Sequence, residues 1–279
     1  MTDGPTWRAL LALAGRRLDG SDARRIVEEA SGWRGAELVV HLDDASNALT
    51  YRRWADMVDR RADGEPLQYV LGSWAFRMLD DMHVDRRVLI PRPETEVVVE
   101  HALALAGAID ARLAVDLGTG SGVIAMSLAR ERVALEVWAV DVSPDAIDVA
   151  RANLAGLGRA ATRVRVVEGD WFDALPDDLR GRVDVVVANP PYVAAGEVLP
   201  PEVVEWEPYG ALVAGPTGLE AIERILRDAP AWLSPRGGVV VEIGATQADE
   251  ASALAEAAGF ARVAVHPDLA GRPRVLVAT

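Results

Sequence analysis

The chain has 279 residues, half of them hydrophobic and about a quarter charged, which is globular composition with room for two unequal domains. It contains no cysteine, which excludes disulfides, thiolate metal sites, iron–sulfur clusters and cysteine nucleophiles and fits a reducing compartment. Its 29 basic residues, all arginine, stand against 43 acids; the net charge of −14 repels a phosphate backbone and suits a basic protein partner.

The first 18 residues carry Asp3, Arg8, Arg16 and Arg17, and their apolar run is too short to span a membrane. Leu10, Leu11, Leu13, Ala14 and Leu18 predict an amphipathic helix rather than a signal peptide, hence a soluble, cytoplasmic protein. Ser21-Asp22 is a candidate cap for a second helix through Ile26, Val27 and Ala30, and Thr50 for a third that carries Trp54, Met57 and Val58. Residues 1–71 therefore read as a small helical domain. From Gly72 to Pro93 the apolar pieces shorten and end in Val88-Leu89-Ile90-Pro91-Arg92-Pro93, whose prolines force extended backbone. This stretch predicts a strand pair and linker, followed by a helix opening at Glu94-Thr95-Glu96, acidic at its start as the helix dipole favours.

Residues 94–279 alternate short β-branched runs with helical ones. Strands are expected at Leu113–Leu117, Val137–Val140, Val164–Val167, Val183–Ala188 and Gly238–Ile243, and helices at Val123–Arg130, Pro144–Leu154 and Leu219–Ala229. Apolar strands alternating with helices predict a parallel sheet covered on both faces. Two last strands, Arg262–Val265 and Arg274–Ala278, predict an antiparallel hairpin at its edge.

The first of these strands runs into Asp116-Leu117-Gly118-Thr119-Gly120-Ser121-Gly122, a turn whose glycines let a ligand lie against bare main chain. A dinucleotide fold wants Gly-x-Gly-x-x-Gly with pyrophosphate on the helix N-terminus. Gly-x-Gly-x-Gly after an acid instead resembles the first motif of the Rossmann-like methyltransferases, whose ligand has an ammonium group and no phosphate. Asp141, 25 residues after Asp116, ends the second strand where a carboxylate can accept both hydroxyls of a ribose. Asp170-Trp171 follows the third strand, placed to receive an adenine amino group and face. Each feature alone reads as a tight turn, a capping acid or core packing; their order after three successive strands points to a nucleoside site.

After the fourth strand stands Asn189-Pro190-Pro191-Tyr192. Two prolines hold the backbone extended and remove two N–H donors, so the Pro190 carbonyl faces no competing donor. With Asn189 Oδ1 it makes two acceptors for the N–H bonds of a planar amide or exocyclic amine, while Tyr192 adds a ring and a phenol. Such a pair aims a nitrogen lone pair at a methyl donor without a strong base.

With these residues the chain resembles the HemK/PrmC family, the release-factor glutamine N5-methyltransferases, over nearly its whole length. The matching stretches include Gly64–Gly72, Leu89–Glu96, Asp116–Gly122, Asp170-Trp171-Phe172 and Asn189–Tyr192. Glu207-Pro208, Glu242-Ile243-Gly244 and Asp268–Arg272 continue the match, whereas Trp74–Val84 fits the family's hairpin only at Phe76. The resemblance implies a helical domain (1–71) that recognises the release factor, a hairpin linker (72–93) and a seven-stranded Rossmann-like catalytic domain (94–279). It implies S-adenosylmethionine as cofactor and, as acceptor, the glutamine of the Gly-Gly-Gln tip of a release factor. The cofactor would meet Asp116, Gly118, Thr119, Gly120, Ser121, Gly122, Asp141, Asp170, Trp171 and Asn189. Asn189, Pro190, Pro191 and Tyr192, with Arg92 and Glu94, would hold the glutamine, and Asn189, Pro190 and Tyr192 would carry the transfer. An adenine N6-methyltransferase, a ribosomal-protein glutamine methyltransferase and a non-catalytic binding module are the rival readings. No metal is expected from the spacing of the four histidines, nor a nucleic-acid or membrane partner, and a monomer is expected.

Overall fold

The computed structural model describes residues 4–279; Met1 to Asp3, at the head of the expected amphipathic helix, lie outside the described residues. The chain divides into two units, Met1–Ser73 and Trp74–Thr279.

The first unit holds five helices: α1 (Trp7–Ala14), α2 (Gly20–Ser31), α3 (Ala36–Val40), α4 (Ala48–Ala62) and α5 (Leu67–Leu71). Trp7, Leu10, Ile26, Val27, Leu38, Trp54 and Met57 bury one face of each of the first four helices in a common core. Two caps differ from expectation. Asp19, not Ser21 or Asp22, opens α2, because its Oδ1 accepts from both Ser21 N and Asp22 N. Asn47 caps α4, and Thr50 is the other half of a capping box: Asn47 Oδ1 accepts from Thr50 N while Thr50 Oγ1 accepts from Asn47 N.

The hairpin β1 (Ser73–Phe76) and β2 (Leu79–His83) opens the second unit, and Arg77 at its turn takes φ 50° and forks onto Glu131 at 2.8 Å through both Nε and Nη2. The poor match of 74–84 to the expected hairpin therefore does not prevent one. Residues 85–88 form a turn closed by Val88 N on the Asp85 carbonyl, and 89–92 join no helix or strand, as the prolines require, but Pro93 is the first residue of helix α6 (Pro93–Ile109) rather than the end of the linker. A first-turn proline costs the helix no hydrogen bond.

The remaining elements alternate: β3 (Leu113–Leu117), α7 (Val123–Glu131), β4 (Glu136–Asp141), α8 (Pro144–Gly156), β5 (Val164–Glu168) and β6 (Val183–Ala188). Then come the short pair β7 (Val193–Ala194) and β8 (Val213–Gly215), which brackets helices α9 (Pro201–Trp206) and α10 (Tyr209–Leu212). Helix α11 (Glu220–Asp228), β9 (Leu233–Glu242), α12 (Ala248–Ala257), β10 (Val263–Pro267) and β11 (Pro273–Ala278) complete the chain. The sheet order is β10-β11-β9-β6-β3-β4-β5, parallel except for β11, which runs against both neighbours. Alternate residues enter two cores. Ala114, Val137, Val185 and Val240 face one with α6 and α7, while Val115, Val140, Val186 and Val241 face the other with α11 and α12. Strand β9 starts five residues before its expected beginning because Leu233 pairs with Val183 ahead of the apolar run.

Chain order reverses beside β3: β4 and β5 lie on one side, β6 and β9 on the other. Loops leaving the carboxyl ends of β3 and β6 diverge there and open a crevice, the usual ligand position in such sheets. Register makes it sharper. Leu117 pairs with Val140 and with Ala188, and Ala188 pairs with Val241, so Gly118, Asp141, Asn189 and Glu242 leave four adjacent strands at one level.

Candidate active site

A cleft of about 330 Å³ occupies that crevice. Its wall brings together the glycine loop (Gly118–Ser121), Asp141, Asp170, Trp171, Asn189 and Pro191. The other residues expected at the site, Asp116, Gly122, Pro190, Tyr192, Arg92 and Glu94, lie off the wall.

Gly118, Gly120 and Gly122 take φ of 72°, 54° and 87°, a left-handed run that only glycine enters without strain. Beneath it, Asp116 is fully buried and accepts from Thr119 Oγ1 at 2.6 Å and from Ala125 N at 3.1 Å, which ties the loop to the first turn of α7. Burial pushes this carboxyl up to about 7, while the two hydrogen bonds oppose the shift. Its Oδ1 is buried with no partner among the described residues. Asp141 accepts from Gly120 N (2.8 Å) and Ser143 N (2.9 Å) and is raised above the usual carboxylate range by burial, against those bonds. A carboxylate has about four acceptor positions, so capacity remains for a ligand. Trp171 takes φ 51°, a costly conformation for a bulky residue, and its ring sits where a Cβ on Gly118 would approach to 3.6 Å. Asp170 gives one oxygen, Oδ2, to Arg224 at 2.7 Å.

Asn189 Nδ2 donates to Thr95 Oγ1 at 3.0 Å, Thr95 Oγ1 donates to Glu242 Oε2 at 2.7 Å, and Tyr192 OH donates to Glu242 Oε1 at 3.4 Å. Thr95 and Glu242 are buried. The Pro190 carbonyl accepts no hydrogen bond among the described residues. Arg92 is paired with Glu207, whose other oxygen accepts from Ile90 N at 3.1 Å, and Glu94 is paired with Arg272 at 3.0 Å. The Glu207 side chain is only 2% exposed, so it pins the 90–92 segment to the chain ahead of α10. Glu207→Ala is expected to lower the free energy of unfolding by about 2–4 kcal/mol, because it leaves a partly buried guanidinium and a buried amide without their acceptor. Urea denaturation measures this, and an unchanged midpoint would show the pairing to be dispensable.

Thr95, Glu207 and Glu242 lie in the family stretches with no individual role implied by the sequence, and Arg87 stands on the cleft wall, as Thr95 does, without a motif to mark it. Glu242 did carry a signal: an acid ending an apolar strand run, as Asp141 does after Val137–Val140. Thr95 carried none, since a threonine in a first helical turn is ordinary, and its contact with Asn189 spans 94 residues of sequence.

The methyltransferase small domain model matches residues 95–205 and the PrmC N-terminal domain model residues 6–72. The chain is 43% identical to the release factor glutamine methyltransferase of Cereibacter sphaeroides, over 96% of this chain and 94% of that protein. It is 41% identical to the protein of the same description from Burkholderia pseudomallei, over 92% and 90%. Among solved structures, the catalytic domain of hMettl16, crystallised with an RNA hairpin, superposes with a TM-score of 0.56 at 18% identity, over 85% of this chain and 84% of that one, a likeness of fold alone. Relatives 43% and 41% identical and matched nearly end to end, with a family model in each unit, make this chain a member of the release factor glutamine methyltransferase family.

Proposed function

We propose that this methyltransferase uses S-adenosylmethionine to methylate the side-chain amide nitrogen, N5, of the glutamine in the Gly-Gly-Gln motif of peptide chain release factors. The observation that carries the reading is the level juxtaposition of the glycine loop, Asp141 and Asn189 on one cleft, together with relatives named for that reaction.

The cleft fits the cofactor by its chemistry. Asp141 and Asp170 are its acids and Arg87 its one basic side chain, already forked onto Asp85 at 2.7 and 2.9 Å. A pyrophosphate would find no free cation on this wall, whereas a nucleoside with a positively charged tail needs none. The orphaned buried Oδ1 of Asp116 adds an unused acceptor beneath the loop. Asp141 would accept from the ribose hydroxyls, Trp171 would cover the adenine, and the glycine loop would leave main chain open to the remainder. When bound, S-adenosylmethionine supplies a methyl group made electrophilic by its sulfonium.

Asn189 Oδ1 and the Pro190 carbonyl accept the two N–H bonds of the glutamine amide and turn its lone pair toward that methyl. Orientation accounts for most of the acceleration, because an amide nitrogen is a poor nucleophile until both its protons are held and its geometry is set. One of those protons would pass to solvent water once the new N–C bond has formed, and the broken carbon–sulfur bond would leave S-adenosylhomocysteine as the other product. The helical unit, residues 6–72, would recognise the release factor, and the whole would act as a cytoplasmic monomer.

The test uses methyl-labelled S-adenosylmethionine with unmodified release factor, ribosomal proteins and nucleic acid offered side by side. Mass spectrometry is expected to find the label on the Gly-Gly-Gln glutamine. Label on adenine or on a ribosomal protein would overturn the substrate while leaving the fold in place.

A further inference from the structure

The hydrogen bonds behind Asn189 have a direction. An ionised carboxylate only accepts, so both hydroxyls that touch Glu242 must give it their protons. Thr95 has a single proton, and with that proton on Glu242 Oε2 its oxygen can only accept from Asn189. The NH2 end of the Asn189 carboxamide is thereby bound to Thr95, and its carbonyl end is left for a ligand. Glu242 leaves β9 at the level at which Asn189 leaves β6, and Thr95 reaches both from the first turn of α6, so three separate elements build this relay.

We propose that Thr95 and Glu242 are positioning residues of the methyl transfer: Glu242 takes the Thr95 proton, Thr95 takes the Asn189 amide, and Asn189 Oδ1 is thereby held toward the nitrogen to be methylated. The inference rests on the functional reading above and goes beyond it, since that reading gives neither residue a role; Thr95 also lines the cleft, whereas Glu242 does not.

Protonation should reverse the relay. Burial pushes Glu242 up to about 7, against the Thr95 hydrogen bond and the nearby Arg274 charge, and Glu94 adds to the rise. As a neutral acid Glu242 would donate a proton itself, the Thr95 hydroxyl would be free to turn, and the Asn189 amide could flip. The other groups around it are Tyr192, pushed up to about 12 by burial, Arg274, which lies 5.7 Å from the Tyr192 ring and 3.8 Å from Asp268, and the paired Arg92 and Glu94. Tyrosine and arginine keep their protons across the neutral range. Asp116 titrates near the same pH but lies under the cofactor loop, so saturating cofactor removes its effect on cofactor binding.

The experiment measures kcat on release factor at saturating cofactor against pH, together with affinity for S-adenosylhomocysteine by calorimetry, for wild type, T95V, T95S and E242Q. Wild-type kcat is expected to fall as pH drops through about 7, because the ionised form of Glu242 is the competent one. T95V should lower kcat by on the order of 10²-fold, as misdirected reacting groups typically do, with affinity for S-adenosylhomocysteine kept. T95S should recover most of the loss, and E242Q should lose the acid limb. A T95V enzyme with wild-type kcat, a T95S enzyme as slow as T95V, or an E242Q enzyme that keeps the limb would each overturn the relay. Should T95V not fold, E242Q decides by the same criterion. If wild type labels no release-factor glutamine, the functional reading fails, and the Asn189 side-chain amide protons still decide the relay by NMR. Resonances that titrate near neutral pH in wild type and not in E242Q support it; resonances that do not titrate overturn it.

Discussion

Replacing Asn189 with alanine is expected to lower kcat for methyl transfer by on the order of 10²–10³, the loss typical when one oriented acceptor or donor is removed from the reacting centre. The variant keeps the Gly118–Ser121 loop, Asp141 and Trp171, so affinity for S-adenosylhomocysteine should change by less than about tenfold, the weight of a single hydrogen bond. The Thr95 hydroxyl still donates to Glu242, and Asn189 is partly exposed, so little folding stability should go with the side chain. Single-turnover kinetics separate the two quantities, because binding and chemistry appear as different phases. A variant that transferred methyl at the wild-type rate would remove Asn189 from the chemistry and leave the Pro190 carbonyl as the only acceptor in the reading.

Asp141→Ala is expected to do the reverse, weakening cofactor affinity by on the order of 10²-fold while kcat at saturation moves far less. Two losses combine. The ribose hydroxyls lose their charged acceptor, and Gly120 N loses the carboxylate oxygen 2.8 Å away that holds the crest of the glycine loop. Asp141→Asn separates them, since the carboxamide oxygen can still accept from Gly120 N but the negative charge is gone. Intermediate affinity in that variant fits both contributions; equal affinity in all three proteins, measured by calorimetry with S-adenosylhomocysteine, removes Asp141 from the ribose.

The parallel sheet and its order of motifs were legible because each rests on local chemistry. Short apolar runs at Leu113–Leu117 and Val183–Ala188 fit a buried sheet, and alternate glycines after Asp116 fit a turn that carries positive φ. Asp141 and Asn189 could be singled out from position alone, one residue past an apolar strand. The caps of α2 and α4 were misplaced by a few residues because Asp, Ser, Asn and Thr all cap well, and only the hydrogen bonds choose among neighbours. The early start of β9 and the short pair β7 and β8 rest on cross-strand partners far away in the chain, which no window of sequence contains.

By itself the sequence determined the fold class, the family and the strand-end residues Gly118, Asp141 and Asn189, while the cross-strand pairing that brings them level belongs to the tertiary structure. Only the tertiary structure decided what stands behind them. Arg92 and Glu94, expected at the glutamine, pair their charges with Glu207 and Arg272, while Thr95, next after Glu94, turns inward to join Asn189 to Glu242. The reason is steric and dielectric. Successive residues in a helix's first turn point in different directions, and the one facing a buried carboxylate must pair with it, whereas its charged neighbours find partners nearer to water.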